Sequence, residues 1–406
     1  MFGSLVRKLR RVTVQEFSFR VKAALRGWYE ERCYALGIHR EPEVDLTRLG
    51  EEDIVFVNPW ITTTEQTVLL RRFLARDQTY VQQIQKAAET ICDRQFTFFG
   101  QPVHYSSRIP WGADPLSGSL WPMRFHTQID IFGGDTGNGD VKYVWELNRH
   151  QFLPLLGKAY CLTTDEKYAE AALELIEDWI RTNPYKIGIN WTSALEVAVR
   201  SLSWCWACSL LQDSKAFSPE RRKNILHSLY QHGRYIEQYL SLFFSPYNHL
   251  IGEATALFVL GSLMTWLPPA QNWQETGWAL LEQEMPKQFH PDGGTVEQAS
   301  GYHHFTLGFY LQAVLLRKRQ GWSVSANVWS LLEKAFEFSM YIMRPDGSVP
   351  MIGDGDEGKA LDLLQSSLWD FRCFLAIGAV LFQRGDFKKI AGPFPPDAAW
   401  LVGGEG

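Results

Sequence analysis

Little in this sequence points to a charge-driven partner, a metal or a membrane. Lys and Arg number 40 against 45 Asp and Glu, a formal net charge of −5, so there is no basic excess to hold nucleic acid. A long anionic polymer is only mildly disfavoured, because a local patch can outvote the total. Cysteine is sparse. Of six, Cys205 and Cys208 have CxxC spacing in "CWAC", but no second CxxC and no nearby His pair completes a zinc site. The motif lies in an apolar helical run, which predicts buried free thiols; no metal and no cofactor is expected. No uninterrupted apolar run reaches the about 18 residues that a membrane-spanning helix needs. The opening "MFGSLVRKLRRVTVQEF" is basic without an apolar h-region, so the chain as it stands reads as cytoplasmic, or periplasmic if a leader was removed. GxSxG, P-loop and HExxH motifs are all absent.

Aromatic residues are plentiful: 16 Trp, 15 Tyr and 25 Phe. A helical core accounts for most, leaving a few for stacking on sugar rings. The helical period is clearest in "TTDEKYAEAALELIEDWIRTN", where Tyr168, Ala171, Ala172, Leu175, Ile176, Trp179 and Ile180 fall on one face and Thr163 and Glu166 have capping-box spacing. Similar segments lie near 13–35, 64–75, 78–93, 141–160, 192–212, 218–243, 249–266, 273–288, 295–319, 325–343 and 360–384. "RQFTFFGQPVHY" predicts a short hairpin turning at Gly100, and residues 104–140 are rich in loop-forming residues. Helices of this length joined by short connections make antiparallel neighbours. Segments such as "WTSALEVAVRSLSWCWACSLL" are apolar on every face and must be enclosed. The pattern predicts an all-α chain with two concentric helix layers and a cleft lined by polar residues at the ends of the inner helices. A single domain is expected over 1–406: N-terminal helices and hairpin to 100, a cleft segment over 101–140, layered helices over 141–385, and a tail over 386–406.

Four stretches break the apolar pattern with polar groups. In "SPYNHLIGEATAL", Asn248 and His249 stand at a helix mouth and Glu253 follows His249 by one turn. Either Asn248 and His249 face a ligand while Glu253 fixes the imidazole, or Asn248 is an N-cap, His249 a satisfied polar residue and Glu253 exposed. In "DGGTVEQASGYHHFTLGFY", Gln298, Tyr302 and Thr306 share a helical face and Glu297 and Gly301 share the next. Tyr302 is a general acid or base, or it packs like Phe305 and Phe309 with His303 and His304 at the surface. "DVKYVWELNRHQ" groups Lys142, Trp145, Glu146, Asn148 and Arg149, with Glu146 and Arg149 spaced to pair. In "NWTSALEVAVRSL", Glu196 and Arg200 sit four apart among apolar neighbours and are expected to pair, for structure or for a site. "GDGDEG", with Asp354 and Asp356, reads as a turn before a helix, not a calcium loop.

Taken in order, "DVKYVWELNRHQF", "NWTSALEVAVRSLSW", "SPYNHLIGEATAL", "PDGGTVEQASGYHHFTLGFY" and "PMIGDGDEGKAL" resemble the heparinase II/III-like polysaccharide lyases, a family that includes alginate lyases. "LRRVTVQEFSFRVKAAL" is similar to the start of such chains. The resemblance implies an α/α toroid and β-elimination at a uronate. Asn248 and His249 would neutralise the uronate carboxylate, Tyr302 would transfer protons, and Glu253 would orient His249. Trp145 and Trp191 would supply stacking. Glu146, Asn148, Arg149, Glu196, Arg200, Gln298 and His303 would bind or orient substrate. Family members usually continue into a C-terminal β-sandwich, but here "PFPPDAAWLVGGEG" follows with no strand-rich segment. The toroid is thus expected to be incomplete, with an exposed apolar face open to self-association or a partner and the tail "PFPPDAAWLV" lying on it. Three functions stay open: lyase on a uronate-containing polysaccharide, non-catalytic glycan-binding or assembly protein, and inverting glycoside hydrolase, for which Glu146, Glu196, Glu253 and Glu297 are available.

Overall fold

The apolar period is realised as helices through most of the chain, and the computed structural model describes residues 13–46, 64–355, 358–361 and 369–403. Asp356 and the expected helical turns over 362–368 lie outside the described residues. Three helices come first: α1 (Val14–Ala35), α2 (Thr64–Leu74) and α3 (Gln78–Cys92). The hairpin follows, β1 (Gln95–Phe98) antiparallel to β2 (Gln101–His104). Its turn residues Phe99 and Gly100 have φ of +50 and +72°, the left-handed pair that fits the twist of two adjacent strands.

The helix expected over 141–160 is broken into α4 (Val141–Asn148) and α5 (Leu153–Thr163). Pro154, in the first turn of α5, cannot continue a helix from before it. His150 takes a φ of +55° in the break, and its buried Nδ1 accepts from Trp204 Nε1 at 2.8 Å. α6 (Glu166–Thr182) is capped by Asp165, which accepts from the Lys167 N–H at 3.1 Å, and not by Thr163; Glu166 reaches Ser214 instead.

The remaining helices are α7 (Ala194–Leu210), α8 (Pro219–Gln238), α9 (Asn248–Leu263), α10 (Ala270–Gln288), α11 (Ser300–Arg319), α12 (Ala326–Ile342), α13 (Arg372–Phe382), α14 (Gly385–Ala391) and α15 (Ala399–Val402). α5, α7, α9 and α11 form the inner layer, and α6, α8, α10 and α12 return outside them. α7 is buried at every position, as its all-round apolar sequence requires. α9 and α10 pack backbone to backbone: a Cβ on Gly277 would lie 2.5 Å from the Ala254 carbonyl oxygen. At mid-length, Trp206 of α7 donates to Gln312 of α11 at 3.1 Å. The result is the mostly helical α/α toroid arrangement. Cys205 and Cys208 are buried free thiols, and no described helix is long and apolar enough to cross a membrane.

The tail corrects an expectation. Trp400 and Leu401 are buried, not spread over an exposed face. Asp397 accepts from the Tyr80 hydroxyl at 2.6 Å and pairs with Lys158, whose side chain is wholly enclosed; Trp400 Nε1 donates to Tyr80 at 2.8 Å. An exposed apolar row is found instead on α1, at Phe17, Val21, Leu25 and Trp28. α1 turns its polar side inward: Arg26 donates to the Gln238 carbonyl at 2.6 Å, Arg20 to the Phe243 carbonyl at 3.3 Å, and Glu30 accepts from Lys186 at 2.9 Å.

Asp397→Ala removes the carboxylate that balances a buried ammonium, so it should destabilise the fold by about 3–5 kcal/mol. Urea denaturation near neutral pH checks this; a loss below about 1 kcal/mol, the range of a surface substitution, would show that the Lys158–Asp397 pair does not hold the tail.

Candidate functional site at the mouth of the inner helices

An inner helix enclosed on all sides can leave a polar side chain open to solvent only where it ends. In α9 every residue is buried except His249 and Leu263, at the two ends. In α11 every residue before Arg317 is buried except Tyr302. His249 and Tyr302 are therefore the half-open positions in the first turns of two otherwise sealed helices. The start of α9 is tied to the turn just before α11. Asn248 Nδ2 donates to both carboxylate oxygens of Glu297, at 2.8 and 3.1 Å, and its backbone N–H reaches the same carboxylate at 3.3 Å. Asn248 is the first residue of α9, preceded by Tyr247, and does not cap it.

A charged cluster borders this mouth. Arg149, just past α4, donates to Glu146 at 2.7 Å and grips Glu196 with Nε and Nη2 at 2.7 and 2.9 Å. Its guanidinium carbon lies 5.8 Å from the ring centre of Phe305, one turn beyond Tyr302. The expected Glu146–Arg149 pair is present. The expected Glu196–Arg200 pair is not, because Arg149 approaches Glu196 from another helix.

Arg200 is wholly buried. Its guanidinium carbon lies 4.1 Å from the ring centre of Trp179 and 5.6 Å from that of Trp191, and its Nε donates to His232 Nε2 at 2.9 Å. Burial pushes its pKa down to about 9, with Glu196 acting in the opposite direction. Trp191, expected to stack on sugar, is enclosed by Trp179, Tyr185, His232 and Tyr235 and offers no open face. Asn148 is also structural: its amide donates to the Trp111 and Val144 carbonyls at 2.8 and 2.7 Å and accepts from Trp179 Nε1 at 2.7 Å.

Three more expectations change. Glu253 does not orient His249; its carboxylate oxygens accept from the Ser241 N–H and hydroxyl, both at 2.7 Å, and so anchor the connection that leads into α9. His303 points away from the mouth, its Nε2 within 3.1 Å of the Ala335 carbonyl and 3.0 Å of the Ser339 hydroxyl. Gln298 shares no helical face with Tyr302 and Thr306, because α11 begins only at Ser300; Gln298 is exposed, with φ of +53°, and Thr306 is buried. Trp145 is half-buried on α4. Glu297 was expected only as a carboxylate available to a hydrolase and not as the partner of Asn248; the clue available in the sequence was a carboxylate abutting a buried helix, which needs a donor.

The mouth thus combines an amide, an imidazole and a phenol, groups able to hydrogen-bond a carboxylate and move a proton. Among the described residues, no three His, Cys, Asp or Glu side chains gather as a metal site would require.

Comparison with known proteins places the chain and its fold. Residues 59–373 match the family model for the heparinase II/III N-terminus. A heparin-sulfate lyase of Bacteroides thetaiotaomicron is 30% identical over 229 residues, covering 52% of this chain and 32% of that protein. The chain spans between 32% and 45% of the length of the curated relatives it matches. In fold, the crystal structure of heparan sulfate lyase HepC from Pedobacter heparinus aligns with a TM-score of 0.54 at 23% identity, over 76% of this chain and 45% of that one. An alginate lyase from Bacteroides ovatus aligns with a TM-score of 0.55 at 16% identity, over 87% of this chain and 100% of that one.

Burial pushes the pKa of Glu253 from 4.5 up to about 8. Between these values the folded state holds a proton that the unfolded state has lost, so the contribution is full below about 4.5 and is lost as pH rises through about 8. Glu253→Gln keeps an acceptor for Ser241 and removes the titration. Urea midpoints at acid, neutral and alkaline pH should fall across this window in the wild type and flatten in the variant; equal slopes would refute the assignment.

Proposed function

The chain belongs to the heparinase II/III family, and from that premise we propose that it is a polysaccharide lyase, cleaving a uronate-containing polymer by β-elimination. One observation carries the reading. Two sealed inner helices leave His249 and Tyr302 half-open in their first turns, and the Asn248–Glu297 hydrogen bonds tie the start of α9 to the turn that leads into α11.

The chemistry needs these groups. The C5 proton of a uronate is barely acidic while the carboxylate beside it stays ionised. Hydrogen bonds from the Asn248 amide and the His249 imidazole stabilise the enolate-like state as charge moves onto the carboxylate. Tyr302 takes the C5 proton as phenolate and returns a proton to O4. The C4–O4 bond breaks, a C4=C5 double bond forms, and no water is consumed. The four carboxylates considered for a hydrolase are otherwise engaged: Glu146 and Glu196 with Arg149, Glu253 with Ser241, and Glu297 with Asn248. The names of similar proteins put heparan sulfate and alginate on the panel of polymers to be tried.

The assay is ultraviolet absorbance of the conjugated 4,5-unsaturated product. A lyase produces it, a hydrolase yields only reducing ends, and a binding protein yields neither. Tyr302→Phe should lower kcat by roughly 10²–10⁴-fold with KM nearly unchanged, since only a proton-transfer group is lost. Asn248→Ala should cost on the order of 10²–10³-fold, as for one donor to a developing oxyanion. Near wild-type turnover by Tyr302→Phe would remove Tyr302 from the mechanism.

A further inference from the structure

Glu297 has a carboxylate at the mouth of a site meant for an anionic sugar, where another negative charge is costly. Its position is nevertheless rigidly specified. The Gln298 N–H donates to the Thr295 carbonyl at 3.1 Å, and Gln298 then takes the left-handed φ of +53°. That conformation is unfavourable for a side-chain-bearing residue and persists only where its surroundings enforce it. They do so here. A Cβ on Gly353 would lie 2.7 Å from the Gln298 carbonyl oxygen, so the 347–355 loop abuts the turn. Ser300 ties that loop to α11, donating through its hydroxyl to the Pro350 carbonyl at 2.8 Å and accepting from the Ile352 N–H at 3.0 Å. Glu297 therefore projects from a fixed ledge.

What it holds is the Asn248 amide. Without a partner, an Asn side chain samples several χ1 wells and both faces of its amide. With Glu297 accepting from Nδ2 at 2.8 and 3.1 Å, one N–H is committed and the planar group is locked. The second N–H and Oδ1 then have set directions. Resting on the lyase reading above, we infer that Glu297 is a positioning residue: it acts through Asn248, aiming the free amide N–H at the uronate carboxylate. A carboxylate suits the task because it only accepts and so dictates which edge of the amide faces it.

The test uses the purified chain with the uronate polymer that it cleaves, and the variants Glu297→Ala, Glu297→Gln, Asn248→Ala and the double alanine variant. Glu297→Ala should lower kcat about 10- to 100-fold with KM changed little, the scale of a misplaced catalytic group. Glu297→Gln, which retains one acceptor oxygen, should recover part of the loss. The double variant should be no slower than Asn248→Ala alone, because Glu297 has nothing left to aim. A merely structural role would lower the melting temperature and give additive losses. Additive losses, or wild-type kcat in Glu297→Ala, would overturn the inference. A second arm needs no turnover: the side-chain amide protons of Asn248, followed by ¹⁵N-resolved NMR, should show one hydrogen-bonded proton that Glu297→Ala abolishes. If the wild type cleaves no uronate polymer, the lyase reading fails, and the inference is judged on binding of a saturated uronate oligosaccharide. Glu297→Ala must then weaken binding as much as Asn248→Ala does; undiminished binding overturns it.

Discussion

Enclosure of the inner helices is the constraint on which the rest of this structure depends. α7, α9 and α11 are buried on almost every side, and helices so largely apolar all round are stable in water only when surrounded. Outer helices supply that surround, with glycines such as Gly277 allowing backbones to touch. Once the sides are sealed, polar chemistry is confined to the ends. The half-open His249 and Tyr302 at the mouth of the inner layer are thus a consequence of the packing.

Polar groups that lie deeper must satisfy one another. Arg200 is held between two indoles and bonded to His232, with the Asn148 and Asn190 carbonyls at 3.4 and 3.3 Å. Lys158 pairs with Asp397, which draws the tail into the fold. Each arrangement uses side chains distant in sequence, and the first removes from the mouth Arg200 and Asn148, which the sequence made available for it. At the mouth itself the same economy operates: Arg149 pairs with two carboxylates, and Glu297 is taken up by Asn248.

Much of the architecture was legible because helical periodicity is a local property. The layered helices, the hairpin turning at Phe99 and Gly100, and the buried CxxC thiols all follow from neighbours within a turn or two. Errors fell where local rules competed. Pro154 cut one expected helix in two, and the turn at Gln298 delayed α11 to Ser300. At the site, Asn248, His249 and Tyr302 stand out in the sequence because they interrupt apolar helices near their starts. Glu253 stands out equally, yet it is a buried anchor for Ser241.

By itself, then, the sequence determined which segments are helical, which helices must be enclosed, and which residues interrupt them at their ends. Those are one-dimensional facts, set by spacing along a single helix. Only the tertiary structure decided the partners. Glu196 faces Arg149 and not Arg200, Trp191 is sealed among aromatic rings, and Glu297 meets Asn248 across 49 residues. The physical reason is that a hydrogen bond or ion pair depends on distance in space, and packing helices side by side brings together groups whose separation along the chain carries no trace of that meeting.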